Sequence, residues 1–286
     1  MATRKNRRRP VGAVPPRNRI ALLLGLSALV LPGTPWAAGP SDWARVAQNP
    51  MADAMKLPIE SQFEPGYGNK EQLKYSLLYH PSMVSQVNED WIVANRLNLP
   101  FIYQPGREAG EKDSFGLGDT TYESFMGPVG ERSLYWGVGP AFQLPTATDP
   151  QLGTRKWSAG LAATATLVKG PIVAGIRANH LWSFAGKDDR PDVNLSTIEY
   201  FLYANLGKGW WVGTSPVNTA NWEAASGETW TIPLGGGIGK VVIPNRIPVN
   251  LKLEAYSYTE APAGSADWSL MLTCEFLYTA ESFFKR

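Results

Sequence analysis

Beyond residue 55 the chain is built from short stretches in which apolar and polar positions alternate, separated by clusters of Gly, Pro, Asn and Asp. In the stretch from 72, Leu73, Tyr75, Leu77 and Tyr79 share one face, and Lys74, Ser76 and His80 share the other with Leu78. Near 134, Leu134, Trp136, Val138, Phe142 and Leu144 oppose Tyr135, Gly137, Gly139, Ala141 and Gln143. At the end, Trp268, Leu270, Leu272, Cys274, Phe276 and Tyr278 oppose Ser269, Thr273 and Glu275. Runs of this kind fall near 56–64, 72–82, 90–103, 117–127, 132–145, 156–168, 171–185, 195–206, 209–221, 229–242, 247–259 and 267–278, which predicts about twelve strands. One segment reads two ways. Ser158 to Ile176 is nearly free of charge and long enough to tempt a membrane-helix assignment. Lys169-Gly170-Pro171 decides for a hairpin, because a helix would carry Gly, Pro and Lys at mid-membrane whereas two strands carry them as a turn.

The connections sort by parity. Those after odd-numbered runs are long and hydrophilic: Glu64 to Glu71, Gln104 to Phe115, Thr146 to Arg155, Gly186 to Asn194, Trp222 to Glu228 and Glu260 to Ala266. Those after even-numbered runs are shorter, with Met83 to Glu89 as the exception. Short turns at one end and long loops at the other are the signature of an outer-membrane barrel. The expected fold is therefore all-β: a transmembrane, antiparallel, up-and-down β-barrel. One face of each strand suits lipid and the other a polar interior. A water-soluble barrel would turn its apolar face inward and carry a more charged exterior than a chain with 18% charged residues provides.

Tryptophans collect where hydrocarbon meets headgroups. Trp157, Trp182, Trp222, Trp230 and Trp268 lie beside long loops, and Trp91, Trp136, Trp210 and Trp211 beside shorter ones, so two girdles are expected. The same alternation sends Lys74, Arg96, Asp119, Glu123, Arg177, Glu199, Lys252, Glu254 and Glu275 toward the lumen. Charges of mixed sign in a narrow barrel can pair across it, which serves equally as a salt-bridged filling or as a selectivity lining.

The start of the chain changes the charge argument. Arg4, Lys5, Arg7, Arg8, Arg9, Arg17 and Arg19 precede an apolar run from Ile20 to Leu31, and small residues follow at Ala37, Ala38 and Gly39, so residues 1–39 read as a signal peptide. An uncleaved anchor is the alternative, but the apolar run is short for a span. Without that segment 20 basic residues face 25 acidic ones, a net charge of −5, and nothing points to nucleic acid. Residues 40–55 read as a polar, irregular periplasmic lead-in, and 56–286 as the barrel. Cys274 is the only cysteine, which excludes an intrachain disulfide and a cysteine-based metal site.

Candidate chemistry is sparse. His80-Pro81-Ser82 has the His-x-Ser spacing of outer-membrane lipid hydrolases, but the alternation turns His80 inward and Pro81 interrupts the ladder. His180 shares the face of Trp182 and Phe184 and reads as a girdle histidine with one polar contact. The cluster Lys187-Asp188-Asp189-Arg190-Pro191-Asp192 offers Asp188, Asp189 and Asp192 to a divalent ion or lipopolysaccharide, yet its spacing does not fit an EF-hand, and a solvated loop with an internal Arg-carboxylate pair is expected. Leu234 to Lys240 is superficially like a phosphate loop, but it lacks the Lys-Ser/Thr ending and reads as a strand bend or a close contact. No cofactor, metal or catalytic residue is expected.

Several segments occur together in one order: Asn49-Pro50-Met51-Ala52-Asp53, Asn88-Glu89-Asp90-Trp91, Ile102-Tyr103-Gln104-Pro105, Gly116-Leu117-Gly118-Asp119-Thr120-Thr121, Trp136-Gly137-Val138-Gly139-Pro140 and Leu144-Pro145-Thr146-Ala147-Thr148. Asn179-His180, Asp188 to Asn194, Thr219-Ala220-Asn221-Trp222 and Val249-Asn250 follow. With them the chain resembles the bacterial outer-membrane family named after the meta-pathway of phenol degradation, whose relatives often carry the misleading label neuromedin U. The resemblance implies an outer-membrane barrel described as a transporter of hydrophobic or aromatic compounds, without established catalytic residues. One departure is that Thr279 to Arg286 extends past the last run, where such barrels usually end on an aromatic. The expected function is a passive, non-enzymatic channel for small solutes. Its partners would be outer-membrane lipid, lipopolysaccharide, the barrel-assembly machinery and a small-molecule solute. A lipid-modifying hydrolase and a structural barrel with a plugged lumen are the alternatives.

Overall fold

The computed structural model describes residues 38–106, 110–130 and 133–279. The leader assigned to 1–39 thus lies almost wholly outside the described residues, as does the terminal extension from 280. After a helix, α1 (Pro40–Gln48), come β1 (Met55–Tyr67), β2 (Gln72–Tyr79), β3 (Ser82–Gln86), β4 (Trp91–Gln104), β5 (Ser114–Leu117), β6 (Thr120–Pro128) and β7 (Leu134–Leu144). Then follow β8 (Lys156–Lys169), β9 (Ile172–Gly186), β10 (Asn194–Gly207), β11 (Trp210–Thr214), β12 (Val217–Asn221), β13 (Trp230–Val242), β14 (Val249–Glu260) and β15 (Trp268–Tyr278).

These segments form one antiparallel sheet closed on itself, with β1 pairing β15 from Met55 opposite Tyr278 to Phe63 opposite Leu270. The twelve expected runs become twelve staves, three of them broken: β2 and β3 at His80-Pro81, β5 and β6 at Gly118-Asp119, and β11 and β12 at Ser215-Pro216. Proline explains two of the breaks, since it has no N–H to give to the ladder. At the third, the Asp119 carboxylate accepts from Thr154 N at 2.6 Å, Thr154 Oγ1 at 2.7 Å and Gln143 Nε2 at 3.2 Å, so the side chain replaces ladder bonds. The loop expected over Glu64 to Glu71 shrinks to a turn at 68–71 because β1 runs on to Tyr67. The long exception after Met83 disappears because β3 extends to Gln86.

The exterior is apolar by alternation. Leu134, Trp136, Val138 and Phe142 on β7, and Leu161 and Ile176 on the central hairpin, are exposed, while Thr164 and Thr166 are buried on the opposite face. Leu161 is 69% exposed and belongs in lipid. Leu161→Arg should therefore cost about 2–4 kcal/mol, read as a loss of folded, heat-modifiable barrel on gels, whereas Thr164→Arg keeps its charge away from lipid and should lose less.

The segment expected to be irregular is instead a nine-residue helix. Pro40 fits the first helical position, Asp42 accepts from Gly39 N at 3.0 Å, and Asn49, which precedes Pro50, leaves helical geometry. Its length and flanking prolines hide its period among the strands. Trp43 and Ala44 pack inside the short-turn end of the barrel against Val173, Phe201, Tyr203, Trp211, Val241 and Leu277. Met51 follows into a second cluster with Phe125, Ala141 and Leu181. The residues before β1 thus fill one end of the lumen.

Candidate functional site

The plug is held by polar ties as well as packing. Lys56 Nζ, on the first stave, donates to the carbonyls of Asn49 at 2.5 Å and Ala47 at 3.3 Å, a cation at the C-terminal end of α1. Gln48 and Asn205 exchange two amide hydrogen bonds of 3.2 and 2.9 Å. Trp211 is fully buried and turned inward, with Nε1 donating to Asn250 Oδ1 at 3.1 Å. This corrects its place in the girdle: Trp210 keeps the outer face, and the adjacent residue must take the other. A Cβ at Gly239 would lie 2.1 Å from the Trp211 ring, so the glycine-rich run is here a close contact. Gly239→Ala should loosen the plug, and faster proteolysis at residues 40–54 would register it.

Beyond the plug lies a cavity of about 530 Å³, floored by Ala47, Gln48 and Pro50. An ion-pair bridge crosses it. Arg177 on β9 pairs with Glu199 on β10 and reaches Glu123 on β6 at 3.8 Å. Asn179 Nδ2 donates to Glu123 Oε1 at 2.7 Å, and Arg96 on β4 stands 4.0 Å from Glu199. Neither β4 nor β6 neighbours β9 or β10 in the sheet, so these contacts span the lumen.

The other interior charges hold the wall or line the remaining space. Lys74 pairs with Glu64 at 2.9 Å, Glu254 accepts from Tyr256 Oη at 2.9 Å and Ser215 Oγ at 3.2 Å, and Glu275 accepts from Asn250 Nδ2 at 2.9 Å. Lys252 lines the cavity, and Asp119 ties the long-loop end as described. Lys56, Glu60 and Glu64 stand on one face of β1 with Gln62, a polar alternation that Pro58 interrupts. The cavity walls present Lys56, Arg96, Arg177 and Lys252 against Glu60, Glu123, Glu199 and Glu275, a near balance of sign.

The hydrolase geometry does not form at His80 and Ser82. Both line the lumen, away from lipid, and His80 Nε2 faces Glu60 at 3.8 Å. His180 Nδ1 shares a 2.7 Å hydrogen bond with Ser196 Oγ, to which Trp222 Nε1 donates at 3.0 Å. Trp91, Trp136, Trp157, Trp182, Trp210, Trp222 and Trp268 are exposed and Trp230 is half-buried beneath Trp222.

In the outer loop Arg190 makes no ion pair with a carboxylate among the described residues. Its guanidinium donates to the carbonyls of Pro150 at 2.9 Å and Gly153 at 2.7 Å, tying two long loops together. Asp188 and Asp189 are solvated, and no group of three His, Cys, Asp or Glu suited to a metal occurs among the described residues. Asp192 accepts from Lys156 Nζ at 3.0 Å and Ser183 Oγ at 3.1 Å, and Lys156 chiefly holds its carboxyl below the ordinary range. A depressed value makes this tie fully present above the ordinary Asp pKa of about 3.9, and lost as pH falls through the lower folded value. The protection of amides in loop 187–193, taken relative to their intrinsic exchange rates at each pH, should therefore fall in acid, and Lys156→Met should bring that fall to higher pH.

No protein-family model matches the sequence, and a search of curated proteins finds no relative. Among solved structures, the fold is similar to an outer membrane channel from Pseudomonas putida F1, with a TM-score of 0.60 at 13% identity over 79% of this chain and 96% of that one. It is also similar to the NanC porin, with a TM-score of 0.50 at 8% identity over 78% and 98%. The chain has the fold of an outer-membrane β-barrel.

Proposed function

We propose that the protein is a passive channel of the bacterial outer membrane for small solutes, held closed at its periplasmic end by its own N-terminal helix. The observation that carries this reading is the cavity between the plug and the long-loop end, lined by charges of both signs inside a barrel whose exterior is apolar. The solved structures it resembles include a channel and a porin, which supports the same reading. The ordered motifs further support membership of the phenol meta-pathway family, and with it hydrophobic or aromatic solutes. The near balance of sign in the lumen disfavours strong selection between cations and anions and favours neutral solutes.

Planar-bilayer recording tests the channel. Intermittent unitary currents are expected as the plug leaves and returns. A folded protein without current or solute flux under any voltage would refute the reading and leave a structural barrel. The hydrolase alternative has no support in the placement of His80 and Ser82, which sit where lipid does not reach.

A further inference from the structure

The cavity charges balance in sign but not in bonding. Among the described residues each of its carboxylates has a donor: Glu60 accepts from Thr273 Oγ1 at 3.1 Å, Glu123 from Asn179, Glu275 from Asn250, and Glu199 from Arg177. Two of the cations are engaged as well, Lys56 by the carbonyls at the end of α1 and Arg177 by its two carboxylates. The other two are not. Arg96 on β4 makes no hydrogen bond among the described residues, and its one ion contact, to Glu199, is 4.0 Å long. Lys252 on β14 makes neither a hydrogen bond nor an ion pair among them.

Both side chains are open to the lumen. Lys252 lies between Leu251 and Leu253, which face outward, and the Arg96 side chain is 20% exposed on a residue that lines the cavity. Each acts electrostatically on Lys56 and on Glu199, so the two border the same part of the cavity. Together a guanidinium and an ammonium carry eight N–H donors. Apolar surface adjoins them: the rings of Phe201 and Tyr203, 6.1 Å apart, line the same cavity, and Tyr203 lies in the field of Lys252. A cavity of about 530 Å³ admits a single-ring organic molecule.

We propose that Arg96 and Lys252 bind the carbonyl group of a small neutral solute, a ketone or an ester, whose apolar body lies against Phe201 and Tyr203. The proposal rests on the channel reading and names its solute class. Spare donors select a solute that brings acceptors, and hydrogen bonds from charged donors are the strong ones. A hydrocarbon of the same shape would displace water from both cations and offer nothing in return. Charge decides the rest. Four cations and four carboxylates already offset one another in the cavity, so a carboxylate solute would enter with an unmatched charge and at a dehydration cost that a carbonyl escapes.

The test uses the full chain in detergent and acetophenone labelled with carbon-13 at its carbonyl. Transfer into a micelle strips hydrogen bonds from the ketone and moves the carbonyl resonance upfield of its position in water, whereas two cationic donors move it downfield. A saturable downfield shift is expected with the barrel, and its absence overturns the site. Lys252→Met should abolish most of it and weaken binding about tenfold or more, and the fold should survive because no hydrogen bond is lost with the ammonium. Arg96→Met is the second variant, and a shift retained by both folded variants overturns the site equally. As competitors, ethylbenzene should need at least tenfold higher concentration than methyl benzoate to displace the ketone, and benzoate should also be weaker. Equal displacement by ethylbenzene, or tighter binding of benzoate, refutes the neutral-carbonyl class. Ion conductance of the unmodified protein in planar bilayers separates the two readings: a conducting barrel without the downfield shift loses only the site, while a barrel that shifts the carbonyl and never conducts keeps the site and loses the channel.

Discussion

Removing residues 40–54 should convert an intermittently conducting barrel into a continuously open one, with single-channel current several-fold above that of the full chain. α1 and the residues after it fill the short-turn end of the lumen, where Trp43 and Ala44 meet side chains from β9, β10, β11, β13 and β15. Few barrel contacts depend on them, since every stave pairs with its neighbours through the backbone. The barrel should therefore survive the deletion. Trp43→Ala gives a graded version: truncating a buried tryptophan costs about 3–5 kcal/mol, which exceeds what Lys56 and the Gln48–Asn205 pair supply. Open time should lengthen while the fully open current stays that of the deletion. A deletion protein that is folded by gel shift yet conducts no better than the full chain would mean that the helix is not the obstruction.

Arg177→Met should have the largest effect on stability, and should change ion preference as well. Arg177 is the cation shared by Glu123 and Glu199, and both carboxylates lie in the barrel interior. Taking one partner from a buried pair costs about 3–5 kcal/mol, because the remaining charge is left without compensation. Here Glu123 is left with the Asn179 amide and Glu199 with Arg96 at 4.0 Å, so urea unfolding should shift strongly, and adding Glu199→Gln should recover part of the loss. In bilayers under a salt gradient the lumen, one positive charge poorer, should move toward cation selectivity. A reversal potential unchanged from the parent protein would place the conduction path away from this bridge.

The barrel was legible in the sequence because membrane strands obey a strict rule. A period of two, apolar outside and polar inside, survives in nearly every run, and the turn chemistry at Lys169-Gly170-Pro171 fixes where the central hairpin reverses. Mixed interior charge was legible for the same reason. The partners were not, because Arg177 and Glu123 are brought together across a closed sheet rather than along a strand. The plug was missed on physical grounds. A nine-residue helix has only two and a half turns in which to show a period, and its buried Trp43 and Ala44 adjoin solvated Asp42 and Arg45. Trp211 was misassigned because two adjacent tryptophans point to opposite sides, and only the neighbour Gly239 marks which one needs room inside.

The seat of the plug has a consequence for biogenesis. Its polar anchor, Lys56, belongs to the first strand, and one of its apolar contacts, Leu277, to the last, which pair with each other to close the ring. A nascent barrel still open at that seam offers α1 only part of its socket. Docking of the helix is thus a late event that reports completed closure, and protection of Trp43 from solvent would serve as an internal clock for the final step of assembly.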